Sequence, residues 1–297
     1  DLQLKRRLQG QAWREVQRLV HCQTCGAQLT MTRFLAKQCV FCCSTSVLAE
    51  DSRGTFEQPD GFLPFKLGEK QAATVIGGAQ RSTSHRLKAW WTGQEEEIIA
   101  MQAVYLPFWL FDGFVEVRGT EVGRPDHGAK IDSSTLGASS LAVVMGMLDQ
   151  DPAHGESVAG RELIMFDNLL YSAMDFPPPW LLKQILPFEL SAVVPYEARL
   201  LANWPAALYH RDVEVVVREA YNHMLAKAVW RKRSLAMAQA SDIEDLRRTF
   251  QVTTVTYQLI LLPVWVAMAQ RAHERRLALI NGQTGQVTFS SPIRSKT

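Results

Sequence analysis

The sequence predicts an α+β fold: an N-terminal zinc ribbon followed by a duplicated domain of mixed strands and helices. Three observations carry that prediction. All five cysteines fall between Cys22 and Cys43, and four of them form two C-x-x-C pairs. Leu-Pro followed by Phe or Val is written four times, at 63–65, 106–108, 186–188 and 262–264, and twice Trp comes next, as Trp109 and Trp265. Strand-like and helix-like apolar periodicities alternate along the rest of the chain. The 297 residues are 47% hydrophobic and 21% charged with a net charge of +2. That is room for one large or two modest domains beside a small module, and it demands neither a nucleic-acid nor a membrane partner.

Residues 1–20 read as a short N-terminal helix, because Leu4, Leu8, Trp13, Val16 and Val20 recur at mostly three- and four-residue steps. Lys5, Arg6 and Arg7 form a basic cluster on it, read as a solvated face. Residues 21–48 are the ribbon. Cys22 and Cys25 make one pair, Cys39 and Cys42 the other, at the spacing of a four-thiolate zinc site. Each pair folds a tight knuckle that aims two sulfurs at one point, and Zn²⁺ completes a tetrahedron. A small residue after the second Cys suits a backbone with φ > 0, which Gly26 supplies in the first knuckle. Cys43 stands at the matching place in the second and is read as a spare thiol. His21 is read as a neighbour of the site. Paired disulfides fit poorly with an odd cysteine count and no secretion signal. A rubredoxin-like iron site uses similar knuckles. A closed four-Cys zinc site has no open position, so its task is structural.

Residues 49–60 are polar and read as a linker. Residues 60–120 form the first Leu-Pro unit: an extended "LPF" segment, a short helix, an aromatic end at Trp90-Trp91, the strand "YLPFWLF" and a turn at Asp112-Gly113 into a hairpin. Residues 121–180 read as a loop-rich connection. Within it "LAVVMGML" (141–148) fits strand or helix, "RELIMFDNLLYSA" (161–173) starts strand-like and ends helix-like, and "FPPPW" (176–180) is a rigid break. Residues 181–293 form the second unit, with "ILPFEL" at 185–190. A long helix starts at Asp212, its stripe being Val213, Val217, Ala220, Met224 and Ala228. Ser241 and Glu244 suit a capping box. Three strands close the chain, with Asn281-Gly282 and Thr284-Gly285 turning between the last two. A strand Pro lacks an N–H and belongs at an edge, a start or a bulge. The Leu-Pro-x-Trp segments are therefore read as bent strands that set their indoles in the core.

No catalytic motif is found: H-E-x-x-H, G-x-S-x-G, G-x-G-x-x-G and the P-loop are all missing, and "HGAKIDSS" (127–134) is an ordinary polar loop. The chain is expected not to be an enzyme. Basic clusters at Arg231–Arg233, Arg247–Arg248 and Arg271–Arg276 are diluted by Glu244, Asp245 and Glu274. No run of about 18 apolar residues encodes a membrane helix; "LILLPVWVAMA" (259–269) is too short and holds a Pro.

The C-x-x-C-G-A knuckle, the second C-x-x-C, "YLPFW", "LPFEL", "LLPVW" and "NGQTGQV" together resemble bacterial transcription factor IIB-type zinc-ribbon-containing proteins, sometimes labelled primosomal protein N-prime-like. The resemblance runs from about residue 22 to 293. The helicase label does not carry over, since "NGQTGQV" lacks the P-loop Lys. The resemblance implies a non-enzymatic scaffold whose partners are other protein subunits. Membrane-associated proteins of the phage-shock protein A or band-7 type are included, ahead of nucleic acid. It implies a cytoplasmic location, peripheral to the membrane. Some relatives carry membrane helices after the shared region; this sequence holds none. Cys43 in place of Gly departs from the pattern. The alternatives for function are a nucleic-acid-binding accessory protein and an iron-binding redox carrier.

Overall fold

The computed structural model describes residues 3–8, 10–14, 16, 18–30, 38–51, 56–80, 97–118, 155–158, 161–199, 204–231, 250–271 and 274–294. Trp90-Trp91, residues 119–148, the Ser241–Glu244 box and Arg247–Arg248 lie outside them. The elements are β1 (Gln3–Arg6), β2 (Arg18–Cys22), β3 (Gln28–Thr30), β4 (Val47–Asp51), β5 (Gly61–Phe62), α1 (Glu69–Gln80), β6 (Glu97–Arg118), β7 (Gly155–Val158), β8 (Arg161–Ser172), α2 (Pro179–Lys183), β9 (Val194–Pro195), α3 (Val213–Arg231), β10 (Phe250–Arg271), β11 (Glu274–Asn281), β12 (Val287–Phe289) and β13 (Ile293–Arg294). The larger sheet runs β12-β11-β10-β6-β8-β7, and β3-β2-β4 form a separate one. The fold is thus mixed strand and helix, with few helices. The chain divides into two compact units, 1–7 with 110–170 and 214–257, and 8–109 with 171–213 and 258–297. These interleave along the sequence.

In the first unit, β1 lies parallel to Thr254–Tyr257 of β10, which corrects the N-terminal helix. Of residues 1–20, only those up to Arg7 belong to this unit. Trp13 and Val16 are buried in the other, where Trp13 donates its main-chain N–H to the Phe56 carbonyl at 2.8 Å and its indole N–H to the Tyr196 hydroxyl at 2.8 Å. The three- and four-residue spacing is therefore not one helical face: Leu4 lies in a strand, Leu8 is exposed, and Trp13, Val16 and Val20 are buried. The long helix is as expected: Val217, Ala220, Met224 and Ala228 of α3 are buried in a stripe.

Asp112-Gly113 does not turn the chain; β6 runs through it without a break. The Asp112 carboxylate pairs with Arg7, and its Oδ1 accepts the Asn168 main-chain N–H at 2.7 Å. Gly113 is needed for close approach, since a Cβ there would meet Met224 Sδ at 2.9 Å and the Thr254 carbonyl at 3.0 Å. The Asp-Gly signal was real, but packing rather than a turn requires it. Likewise residues 161–172 stay in one strand, β8, instead of ending as helix or belonging to a loop. Asn168 takes φ +59° inside that strand, held by Asp112.

The second unit answers why Leu-Pro recurs. Ile260 and Leu261 of β10 pair with β5, while Val264–Arg271 pair antiparallel with β11. Pro263 sits in the gap, where its missing N–H is not needed by either partner. In β6, Tyr105 exchanges main-chain bonds with Pro205 and Ala207, and two residues later the Pro107 carbonyl accepts from Ala173, just past β8. Each proline marks the place where a long strand changes partner. Neither β6 nor β10 is an edge strand, because both are internal to the sheet. Trp109 and Trp265 are both buried, and their indoles donate to the carbonyls of Arg211 (2.8 Å) and Leu67 (3.0 Å).

The other Leu-Pro segments converge on Asn281-Gly282. Asn281 is fully buried. Its Nδ2 donates to the carbonyls of Ile185 (2.8 Å) and Pro187 (3.0 Å), and its Oδ1 accepts from the N–H groups of Gln283 (2.8 Å) and Thr284 (3.0 Å). Gly282 donates to the Pro263 carbonyl and accepts from Lys66 and Leu67, each at 2.9 Å. A Cβ on Gly282 would collide with Phe65 and the Pro263 carbonyl at 2.7 Å. A Lys66–Glu189 ion pair further joins "LPFK" to "LPFE".

Candidate metal centre

β2 and β3 are joined by the first knuckle. Cys22 donates its N–H to the Ala27 carbonyl and Gly26 donates back to the Cys22 carbonyl, each at 2.9 Å. Gly26 takes φ +76°. The second knuckle repeats this backbone: Cys39 donates to the Ser44 carbonyl at 2.8 Å and Cys43 to the Cys39 carbonyl at 2.9 Å. Cys43 takes φ +57°, the left-handed region anticipated at its position. For a residue bearing a Cβ this costs about 1–2 kcal/mol.

The sulfurs of Cys22, Cys25, Cys39 and Cys42 all lie within 4.8 Å of one another. Two pairs, Cys22–Cys42 and Cys25–Cys39, are 3.6 Å apart. A tetrahedral ion with metal–sulfur bonds of about 2.3 Å has sulfur–sulfur edges of about 3.8 Å, so the four thiols fit such an ion. Cys43 is outside this set. Its thiol lines a cavity of about 330 Å³ with Met101, Gln102 and Val266, and burial pushes its pKa up against the opposing charge of Arg275. His21 is not aimed at the sulfurs; its Nδ1 lies 2.9 Å from a Glu50 carboxylate oxygen across the β2–β4 ladder.

Protons are unevenly held in the cluster. A hydrogen bond from Cys25, together with the main-chain N–H groups of Phe41 and Cys42, holds Cys39 well below the usual thiol range. That same shared hydrogen bond, with burial, drives Cys25 up. Burial pushes Cys42 up to about 12. Cys22 and Cys39 are buried, whereas Cys25 and Cys42 are partly open to solvent.

The ribbon is stitched to the rest of its unit on two sides. Residues 205–208 bond β3 on one edge and β6 on the other. Thr30 donates to the Ala206 carbonyl (2.8 Å) and Leu208 to that of Gln28 (2.9 Å), while Tyr105 donates to Pro205 (2.9 Å) and Ala207 to Tyr105 (2.8 Å). Phe41 of the second knuckle is fully buried and packs edge-on against Phe176 at 6.0 Å. Sequence reasoning found the four cysteines but missed this splice, for "WPAAL" carries no strand alternation. It also missed that the knuckle backbone occurs a third time. Asn281 donates to the Gln286 carbonyl at 2.8 Å and Gly285, at φ +78°, donates to the Asn281 carbonyl at 2.9 Å. The shared signal was a glycine at the fifth position of six, Gly26 and Gly285.

No family model, curated protein or solved structure matches this chain. Among the described residues no helix is long and apolar enough to cross a membrane.

Proposed function

We propose that the four cysteines hold one Zn²⁺ as a structural ion, and that the chain acts as a non-enzymatic scaffold or adapter in a larger assembly. The observation that carries this reading is the donor set: four thiols converge with no carboxylate or imidazole among them. An ion bound by four thiolates keeps no open position for a substrate, so what it supplies is a fixed join between the two knuckles. The partners proposed are other protein subunits, membrane-associated ones included, with the chain cytoplasmic at the membrane periphery. Support comes from large apolar side chains left exposed in each unit, Val215 and Trp230 in the first and Leu48 and Trp180 in the second. The net charge of +2 argues against a phosphate-driven partner. A tandem duplication is also proposed, because β6 and β10 each change partner at a Leu-Pro and each bury the Trp two residues on.

Elemental analysis tests the metal, with about one zinc per chain expected. Iron with visible colour would replace the structural reading by that of a redox carrier. A pull-down from native membranes with mass spectrometry tests the partner. Titration with DNA and RNA separates the remaining reading. Phosphate-driven binding weakens steeply with salt. Sub-micromolar affinity at about 0.15 M salt would make the chain a nucleic-acid-binding accessory protein.

A further inference from the structure

Two sulfur pairs at 3.6 Å, Cys25–Cys39 and Cys42–Cys22, each join a partly open cysteine of one knuckle to a buried cysteine of the other. This is the arrangement of an attacking thiol with its resolving partner, because oxidation begins at the accessible sulfur and is completed by whichever sulfur lies beside it. The geometry points to a redox-responsive clamp: a hydroperoxide releases the metal and locks the knuckles together through Cys25–Cys39 and Cys22–Cys42 disulfides. The inference rests on the reading of the cluster as a metal centre.

The chemistry balances. In the metal-loaded chain, where all four ligands are thiolates, Cys25 attacks one peroxide oxygen, which breaks the O–O bond, gives a sulfenic acid and expels hydroxide. The Cys39 thiolate then attacks that sulfur, forming the S–S bond and expelling a second hydroxide. Cys42 and Cys22 repeat the sequence. Two peroxides are reduced, four thiolates become two disulfides, the divalent ion leaves for want of thiolate ligands, and four protons from solvent take the hydroxides to water. The sulfurs begin 3.6 Å apart and end at about 2.0 Å, a movement within reach of side-chain rotation.

The consequence differs from that of ordinary C-x-x-C oxidation. Disulfides inside each pair, Cys22–Cys25 and Cys39–Cys42, would free one knuckle from the other. Bridges across the pairs keep the knuckles joined after the ion has left, so β2, β3 and the 205–208 splice stay in place. Cys43, outside the cluster, takes no part and remains a thiol.

The test uses the metal-loaded full chain treated with hydrogen peroxide. Metal release is followed with a chromogenic chelator, free thiols are counted, and non-reducing tryptic digestion is read by tandem mass spectrometry. Trypsin separates the Cys22/Cys25 peptide from the Cys39/Cys42/Cys43 peptide at Arg33 and Lys37. The expected result is loss of the ion, a fall from five thiols to about one, the two peptides cross-linked as 25–39 and 22–42, and reversal by a dithiol with added zinc. A Cys43→Ser chain should give the same cross-links. Bridges inside either pair, a bridge to Cys43, or sulfinic acids without cross-links would overturn the clamp. So would an ion that stays bound with its four thiols intact. If the untreated chain holds no metal, the metal-centre reading itself fails; if it holds metal but does not cross-link, only the clamp fails.

Discussion

The Cys39–Ser44 knuckle and the Asn281–Gln286 turn share one backbone and differ in what its first side chain reaches. Both close with a bond from residue one to residue six and from residue five back to residue one, and both hold residue five at positive φ. In both, the first side chain accepts the N–H groups two and three residues on: Phe41 and Cys42 are aimed at the Cys39 sulfur, Gln283 and Thr284 at the Asn281 Oδ1. The turn therefore needs an acceptor at its first position, and sulfur or amide oxygen serves. The outward side sets the difference. Cysteine turns its sulfur toward the thiols of the other knuckle, a set that could hold a metal ion. Asparagine turns an NH₂ toward the carbonyls of Ile185 and Pro187. One turn thus joins segments in two ways, one through thiols that could share a metal ion and one through amide hydrogen bonds alone.

The sharpest break in this comparison is metal removal. Chelation, or Cys39→Ser, should take bound zinc from about one per chain to none, and amide exchange in β2 and β3 should quicken by orders of magnitude, because the ion supplies folding energy to a ribbon this small. The Asn281 turn should keep its protection. Equal loss at both sites would show that the two clips are not independent. Next in size is Asn281→Ala, which strips two N–H groups and two carbonyls of their partner, one of each in a buried bond. At about 1 kcal/mol per bond, with further loss for groups left buried and unpaired, urea unfolding should show at least about 3 kcal/mol of destabilisation. Metal content should not change.

Glycine at the fifth position sharpens the comparison at lower energy. Gly285→Ala should cost about 1–2 kcal/mol for the left-handed conformation, and slightly more because its new Cβ meets Leu67 Cδ2 at 3.3 Å. Gly26→Ala has open space around it and should show the conformational penalty alone, in matched thermal melts of metal-loaded protein. The smallest effect is expected at Cys43. Cys43→Gly relieves the same conformation but loosens the unfolded chain, for a net gain of about 0.5 kcal/mol, and leaves zinc at about one per chain. Zinc lost in this variant would place Cys43 among the ligands.

What could be read in advance divides by range. Cysteine spacing placed the knuckles, and the 3.6-residue stripe placed α3, because both signals are local. The errors came where one pattern served a distant partner. Leu4 to Val20 looked helical, but Leu4 is held in a strand by β10, Leu8 is exposed and Trp13 is fixed by Phe56 and Tyr196. Asp112-Gly113 had turn composition because Arg7, Asn168 and Met224, all remote in sequence, required a carboxylate and a missing side chain there. Leu-Pro was legible as a repeat, but its meaning, a strand changing neighbours, depends on which strands flank it. Asn281-Gly282 was correctly read as a turn, and nothing local announced that the turn also ties down "LPFK" and "LPFE".

The Asn281 hub also sets an order of events at the ribosome. Synthesis delivers "LPFK" first, "LPFE" much later and Asn281 last, whereas the two knuckles leave the ribosome close together. The carbonyls of Ile185 and Pro187 and the N–H groups of Lys66 and Leu67 must wait for residues 281 and 282 before their final bonds can form. The unit that bears the ribbon is thus finished only after residue 282 has been made, and until then its Leu-Pro segments lack those partners. Pulse-chase proteolysis of chains stalled before and after residue 281 should show protection of the 62–67 and 185–190 segments only in the longer chain.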